Sequence, residues 1–290
     1  MCDDLTANDA TKITRRGFSA LGGAAAVIGL GMGVTGADAS SAGPGAVLNE
    51  ATVAIPTASG HADATFIHPI HGTHPGIVMW PDIAGLRDAY KVMARRLAGA
   101  GYAVLVVNQY YRNAPAPVLT SFAQWRTPEG QAKLAPMIAA LVPPAIASDA
   151  AAYVRFLDRQ AAVDRNRRIG STGYCMGGPF AVRTAAAAPA RVGAVASLHG
   201  ASLVTDKPDS PHRLIAATQA SYMFAIARGD DARSPADKDA LRAAAEAAHR
   251  PAEVEVYPAE HGWCAIDAAV YDPAQADRAY ARMLALFANL

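Results

Sequence analysis

One stretch near the middle constrains this chain more than any other: Ile169-Gly170-Ser171-Thr172-Gly173-Tyr174-Cys175-Met176-Gly177-Gly178. Residues 168–172 predict a short strand, and Phe180, Ala181, Val182, Ala185 and Ala186 predict a helix laid against a sheet. Between them, Gly-x-Cys-x-Gly-Gly makes a very tight strand-to-helix turn. Its central residue takes a strained backbone, and the positions two before and two after it must lack a Cβ. A helix starting there aims free N–H groups at the central side chain, which favours a thiolate and helps to hold an oxyanion. Taken alone, the same residues also describe a buried structural cysteine beside a Gly-rich turn.

The remaining chemistry is sparse enough to narrow the choice. The chain has 290 residues, a formal net charge of +1, 52% hydrophobic and 18% charged residues. That composition fits a globular protein able to bury a large core. No basic stripe interleaves with aromatics, so no nucleic-acid partner is expected. Cys2, Cys175 and Cys264 are too few and too badly spaced for a disulfide framework or a zinc site. His68, His71 and His74 are spaced by three, but they lie in a Pro/Gly loop with no nearby carboxylate or thiolate. A loop without metal is expected there, and no cofactor is needed.

The N-terminus reads as an export signal. Thr14-Arg15-Arg16-Gly17-Phe18 is a twin-arginine motif, an Ala/Gly-rich apolar run covers residues 21–34, and Ala37-Asp38-Ala39 offers a cleavage site before Ser40. Residues 1–39 are therefore expected to engage the twin-arginine translocation machinery and deliver a periplasmic or secreted protein. An uncleaved membrane anchor is the alternative; otherwise no stable membrane partner is expected. Residues 40–50 read as a polar linker and 51–290 as one domain.

Within that domain, residues 52–55 and 64–68 predict an antiparallel hairpin. Strands at 76–80, 103–107, 168–172, 193–198, 222–227 and 252–257 then alternate with helices at 86–98, 129–141, 145–160, 235–249 and 273–289. Ser234 stands as a cap for the fourth helix. Continuously apolar strands in such an alternation predict a mostly parallel sheet covered by helices on both faces.

A nucleophilic cysteine needs a base, and the base needs an orienting acid. The strand at 222–227 runs into Arg228-Gly229-Asp230-Asp231, which supplies a carboxylate. The strand at 252–257 runs into Pro258-Ala259-Glu260-His261, which supplies an imidazole. Nucleophile, acid and histidine thus follow three strand ends in the order such a fold uses.

These residues, with Gly173-Tyr174-Cys175-Met176-Gly177-Gly178 as the most specific piece, resemble the dienelactone hydrolase family of the α/β-hydrolases. The resemblance runs from about residue 50 to the end. It implies a single-domain α/β-hydrolase fold and hydrolysis of an ester or lactone through an acyl-thioester. By similarity Cys175 is the nucleophile, His261 the base and Asp231, rather than Asp230, the acid. The oxyanion hole is implied at the N–H groups of Met176 and Ile83. Asp82 matches a family glutamate that pairs with the resting thiol, and Arg112, after Tyr110-Tyr111, matches one of two arginines that hold the lactone's carboxylate. The second arginine is replaced by Ala265. His199, just past a strand end, is a further substrate-facing candidate. A general short-chain carboxylesterase and a non-catalytic binding protein on the same fold are the alternative functions.

Overall fold

A computed structural model of the chain describes residues 46–290. The expected export signal over residues 1–39 lies outside the described residues. Eight strands among the described residues form one sheet in the order β1-β2-β4-β3-β5-β6-β7-β8. It opens with the antiparallel hairpin β1 (Leu48–Thr57) and β2 (Gly60–Pro69). Both strands are longer than expected, and β1 starts inside the stretch read as linker. β2 runs antiparallel to β4 (Ala103–Val107). From there β4, β3 (Gly76–Trp80), β5 (Ile169–Tyr174), β6 (Val192–Leu198), β7 (Ser221–Ala227) and β8 (Ala252–Tyr257) are parallel neighbours. Parallel neighbours require crossover connections, and the crossovers carry the helices.

The helices are α1 (Asp88–Gly99), α2 (Phe122–Trp125), α3 (Pro128–Ala139), α4 (Pro143–Leu157), α5 (Gly177–Ala187), α6 (Pro211–Leu214), α7 (Arg228–Arg233), α8 (Asp237–Ala247) and α9 (Pro273–Phe287). β3 shows how they divide. Ile77 and Met79 pack with Tyr90 and Leu97 of α1 and Met283 and Phe287 of α9. Val78 and Trp80 face the other way, among Tyr153 and Leu157 of α4 and Phe180 and Val182 of α5. Successive side chains point to opposite faces and both faces are covered, so the strand must be apolar throughout. This is the architecture the alternation predicts.

Two details differ. The helix expected over 235–249 is α8, which begins after Ala236 with no side-chain cap, so Ser234 does not open it; Ser234 instead ends the short α7 that precedes it. The segment after β4, for which no element is expected before residue 129, carries α2. It packs with α3 into a third apolar cluster of Ala84, Tyr110, Val118, Leu119 and Leu134, edged by Phe122, Trp125 and Met176. That cluster rests on loops at the carboxyl end of the sheet, beside the cysteine.

Candidate active site

Cys175 follows β5 directly and has φ +53°, the left-handed region that an L-residue adopts only when held there. The flanking glycines explain how it is held. A Cβ on Gly173 would stand 1.9 Å from the Gly177 carbonyl oxygen, and one on Gly177 would meet the Trp80 and Pro81 carbonyl oxygens at 2.4 and 2.6 Å. Neither position admits alanine without movement. Gly177 therefore does two things: it closes the turn, and it lets the loop after β3 lie against it.

That loop, residues 81–85, is fastened group by group. The Asp82 N–H donates to the Tyr90 hydroxyl (3.0 Å), the Ala84 N–H to Asp82 Oδ1 (2.9 Å), and the Gly85 N–H to the Asp82 carbonyl (3.0 Å). Gln109 Nε2 donates to the Asp82 carbonyl (2.7 Å) and the Tyr110 hydroxyl to the Ile83 carbonyl (2.7 Å). Burial, with Asp82 and Cys175 nearby, holds the Tyr110 hydroxyl well above its ordinary pKa, so it keeps the proton it donates. Among the described residues the N–H groups of Ile83 and Met176 have no protein acceptor. They are the two that the resemblance singles out for an oxyanion.

His261 lies in the turn after β8, and Asp230 on α7 after β7. Asp230 Oδ2 sits 2.7 Å from His261 Nδ1. The other Asp230 oxygen accepts from the exposed Arg233. His261 Nε2 is buried with no hydrogen-bond partner, and Cys175 lies close enough to act on the charge of the ring. Burial works against the imidazolium, yet Asp230 and Cys175 outweigh it and raise the His261 pKa to about 11. The two loops that carry acid and base are themselves joined. The Arg228 N–H donates to the Ala259 carbonyl (3.1 Å), and Arg228 Nε donates to Glu260 Oε1 (2.8 Å).

Asp231, the acid expected from the resemblance, is not in contact with His261. It accepts from Lys238 Nζ at 2.6 Å. The segment turns helical as soon as β7 ends, so consecutive side chains diverge by roughly 100° and only one can face His261. The resemblance points to Asp231, whereas the geometry puts Asp230 beside His261.

Two more expectations need correction. Asp82 makes no hydrogen bond to the thiol among the described residues. Its carboxylate is buried and held by Arg87 Nη1 and Nη2 at 2.7 and 2.9 Å, and Arg87 also donates through Nε and Nη2 to Asp267, both at 2.7 Å. Asp267 in turn accepts the Phe122 N–H (2.9 Å). One buried guanidinium thus ties the loop after β3 to the segment after His261 and to the start of α2. Arg112 is likewise committed. Both its terminal nitrogens donate to the buried Asp149 (2.7 and 2.8 Å), which also accepts from the Tyr111 hydroxyl (2.8 Å). Its fork is spent on its own fold and not offered to a ligand.

His199, at the end of β6, does reach the site. Its Nδ1 accepts the Cys175 N–H at 3.1 Å, and its ring lies 5.1 Å from the rings of both His261 and Trp263. His74 turns its two ring nitrogens to the carbonyls of Gly101 and His71 (3.1 and 2.9 Å), as a structural loop histidine does. Sequence reasoning missed Arg87 and Asp267 altogether. They are 180 residues apart, and neither sits in a motif.

Comparisons with known proteins point to a family and a fold. The family model described as "Dienelactone hydrolase family" matches residues 62–290. A candidate carboxymethylenebutenolidase of Methylorubrum extorquens is 30% identical over 64% of this chain and 62% of its own length. A candidate 2-oxo-3-(5-oxofuran-2-ylidene)propanoate lactonase of a Bradyrhizobium species is 28% identical over 56% of this chain and 61% of its own. The chain thus spans about three fifths of the length of these two curated relatives. Among solved structures, a candidate dienelactone hydrolase of Klebsiella pneumoniae superposes with a TM-score of 0.72 at 22% identity, covering 84% of this chain and all of that one. That likeness shows the fold.

Proposed function

The chain belongs to the dienelactone hydrolase family, and we propose that it is a carboxylic ester hydrolase working through Cys175. The observation that supports this most is the alignment of Asp230, His261 and Cys175 beside two uncommitted N–H groups. In this reading His261 holds a proton at the resting site and Cys175 supplies the sulfur nucleophile. Cys175 Sγ attacks the ester carbonyl carbon, and the carbonyl oxygen takes up negative charge against the N–H groups of Ile83 and Met176. Collapse breaks the ester C–O bond, His261 gives its proton to the departing alkoxide, and an acyl-thioester remains. His261 then takes a proton from water as the water attacks the thioester, and the thiolate leaves with the acid product released. Asp230 holds the imidazole with Nε2 toward the sulfur throughout.

The substrate in this reading is a neutral ester or lactone. Arg112 is paired with Asp149, Arg87 with Asp82 and Asp267, and the position of the family's second arginine is Ala265, which is fully buried. Paired in this way, neither Arg87 nor Arg112 has a free fork for a carboxylate. We also propose export to the periplasm or beyond through the motif around Arg15-Arg16.

A panel of p-nitrophenyl esters and lactones, with wild type and Cys175→Ala side by side, tests the reading. Mass analysis of quenched enzyme should find one acyl group on Cys175. Full activity in Cys175→Ala would remove the thiol mechanism. No turnover of any ester would favour the binding-protein alternative.

A further inference from the structure

His199 is a buried ionisable group at the site for which this mechanism has no use. Only 1% of it is exposed, and its own backbone is left-handed, φ +42°. Cys175 at the end of β5 and His199 at the end of the neighbouring β6 are thus both strained, and they hold each other. The Cys175 N–H is shared between the Leu198 carbonyl and His199 Nδ1, each at 3.1 Å, and the Cys175 carbonyl accepts the Ala201 N–H at 3.1 Å. The His199 N–H is anchored in turn on the Ala225 carbonyl of β7 (2.8 Å). Two glycines permit the approach: a Cβ on Gly178 would stand 2.7 Å from Gly200 Cα.

We propose that His199 is a positioning residue for the nucleophile: by accepting the Cys175 N–H, its Nδ1 keeps the elbow in the conformation that turns Sγ toward His261. The proposal rests on the reading of Cys175 as the nucleophile. A ring nitrogen that accepts an N–H must carry its lone pair there, so the proton sits on Nε2. The ring must also stay neutral, because an imidazolium has no acceptor to offer. Burial and the neighbouring His261 charge both push its pKa well below the ordinary histidine value. Tyr174 and Trp263 pack against the ring, leaving no carboxylate to reverse that.

Three variants separate the roles of the ring. In His199→Asn the amide oxygen stands at the Nδ1 position, and asparagine tolerates a left-handed backbone. In His199→Gln the amide reaches the Nε2 position instead. His199→Phe keeps the ring and neither nitrogen. Each would be measured for kcat and KM on p-nitrophenyl acetate, and for the rate at which iodoacetamide alkylates Cys175. We expect His199→Asn to stay within about three-fold of wild type in kcat. His199→Gln and His199→Phe should lose about ten- to a hundred-fold in kcat with KM little changed, the size of effect that slight misplacement of a reacting group produces. Alkylation of Cys175 should slow in parallel. Should His199→Phe fail to fold, the Asn and Gln variants alone decide. Glutamine equal to or better than asparagine, wild-type kcat in every variant, or a loss confined to KM would overturn the proposal. Alkylation is read without any ester being turned over, so failure of the hydrolase reading shows separately, in Cys175→Ala.

Discussion

Asp230 Oδ2 and His261 Nδ1 lie 2.7 Å apart, while Asp231, one residue on, is bonded to Lys238. Two adjacent carboxylates therefore have separate duties. Asp230→Asn should cost the enzyme much of its kcat. The corresponding change in a serine enzyme costs on the order of 10⁴, and a sulfur nucleophile relies less on its base than a hydroxyl does, so a smaller loss is expected. Asp231→Asn should remain within a few-fold of wild type, since it removes one half-exposed ion pair. Steady-state rates on one p-nitrophenyl ester check both; the reverse order would refute the assignment.

The same pair sets a pH dependence of stability. The folded His261 pKa is raised to about 11 from the ordinary 6.5. Between these values the folded state binds the extra proton, so stability falls as pH rises. The contribution is fully present below about pH 6.5 and is lost as pH climbs through about 11. The Tm gap between wild type and Asp230→Asn should thus be widest near pH 6 and narrow toward pH 10–11. A gap that widened with pH would contradict the sign.

Arg112 should prove structural. Removing it leaves the buried Asp149 carboxylate unpaired, and breaking a buried pair in this way costs about 3–5 kcal/mol, less here for the part of Arg112 that meets solvent. Arg112→Met should lower Tm clearly, and the double variant Arg112→Met/Asp149→Asn should recover part of it. Neither should change the ratio of kcat/KM for a matched neutral and anionic ester pair, which should favour the neutral member in wild type. A wild-type preference for the anion that Arg112→Met abolishes would show the arginine to be a ligand after all.

Gly177→Ala should damage catalysis through the oxyanion loop. The new methyl would press on the Trp80 and Pro81 carbonyls at 2.4 and 2.6 Å, and these precede Ile83 by three and two residues. A drop of about 10²-fold in kcat is expected, the cost of losing one oxyanion donor. Near-normal kcat would show that the loop yields without moving Ile83.

Export is checked in cells. Changing Arg15 and Arg16 to lysine should leave precursor in the cytoplasm, and N-terminal sequencing of exported protein should begin at Ser40. An exported chain starting at Met1 would contradict the cleavage.

The legible parts of the chain are those where physics is local. Strands buried on both faces are apolar runs, and β3, β4 and β8 appear at their expected limits. The elbow was readable because a tight turn dictates glycine at fixed offsets from Cys175. The acid was not readable from spacing, because whether residues 228–233 are extended or helical rests on packing that the local sequence does not display. The partners of Asp82 and of Arg112, which are Arg87 and Asp149, were equally hidden. Motif matching finds where a charged residue starts, and only tertiary structure shows which partner it reaches first.

Arg87 carries a consequence for how this molecule fails. Its guanidinium joins the Ile83 loop, the segment beyond His261 and the first turn of α2 through Asp82 and Asp267. Heat that loosens any one of these strips a partner from a charge buried among the other two. Inactivation on warming should then be concerted: esterase activity, access to the thiol and exposure of the α2–α3 cover should disappear or emerge over the same few degrees, not in sequence.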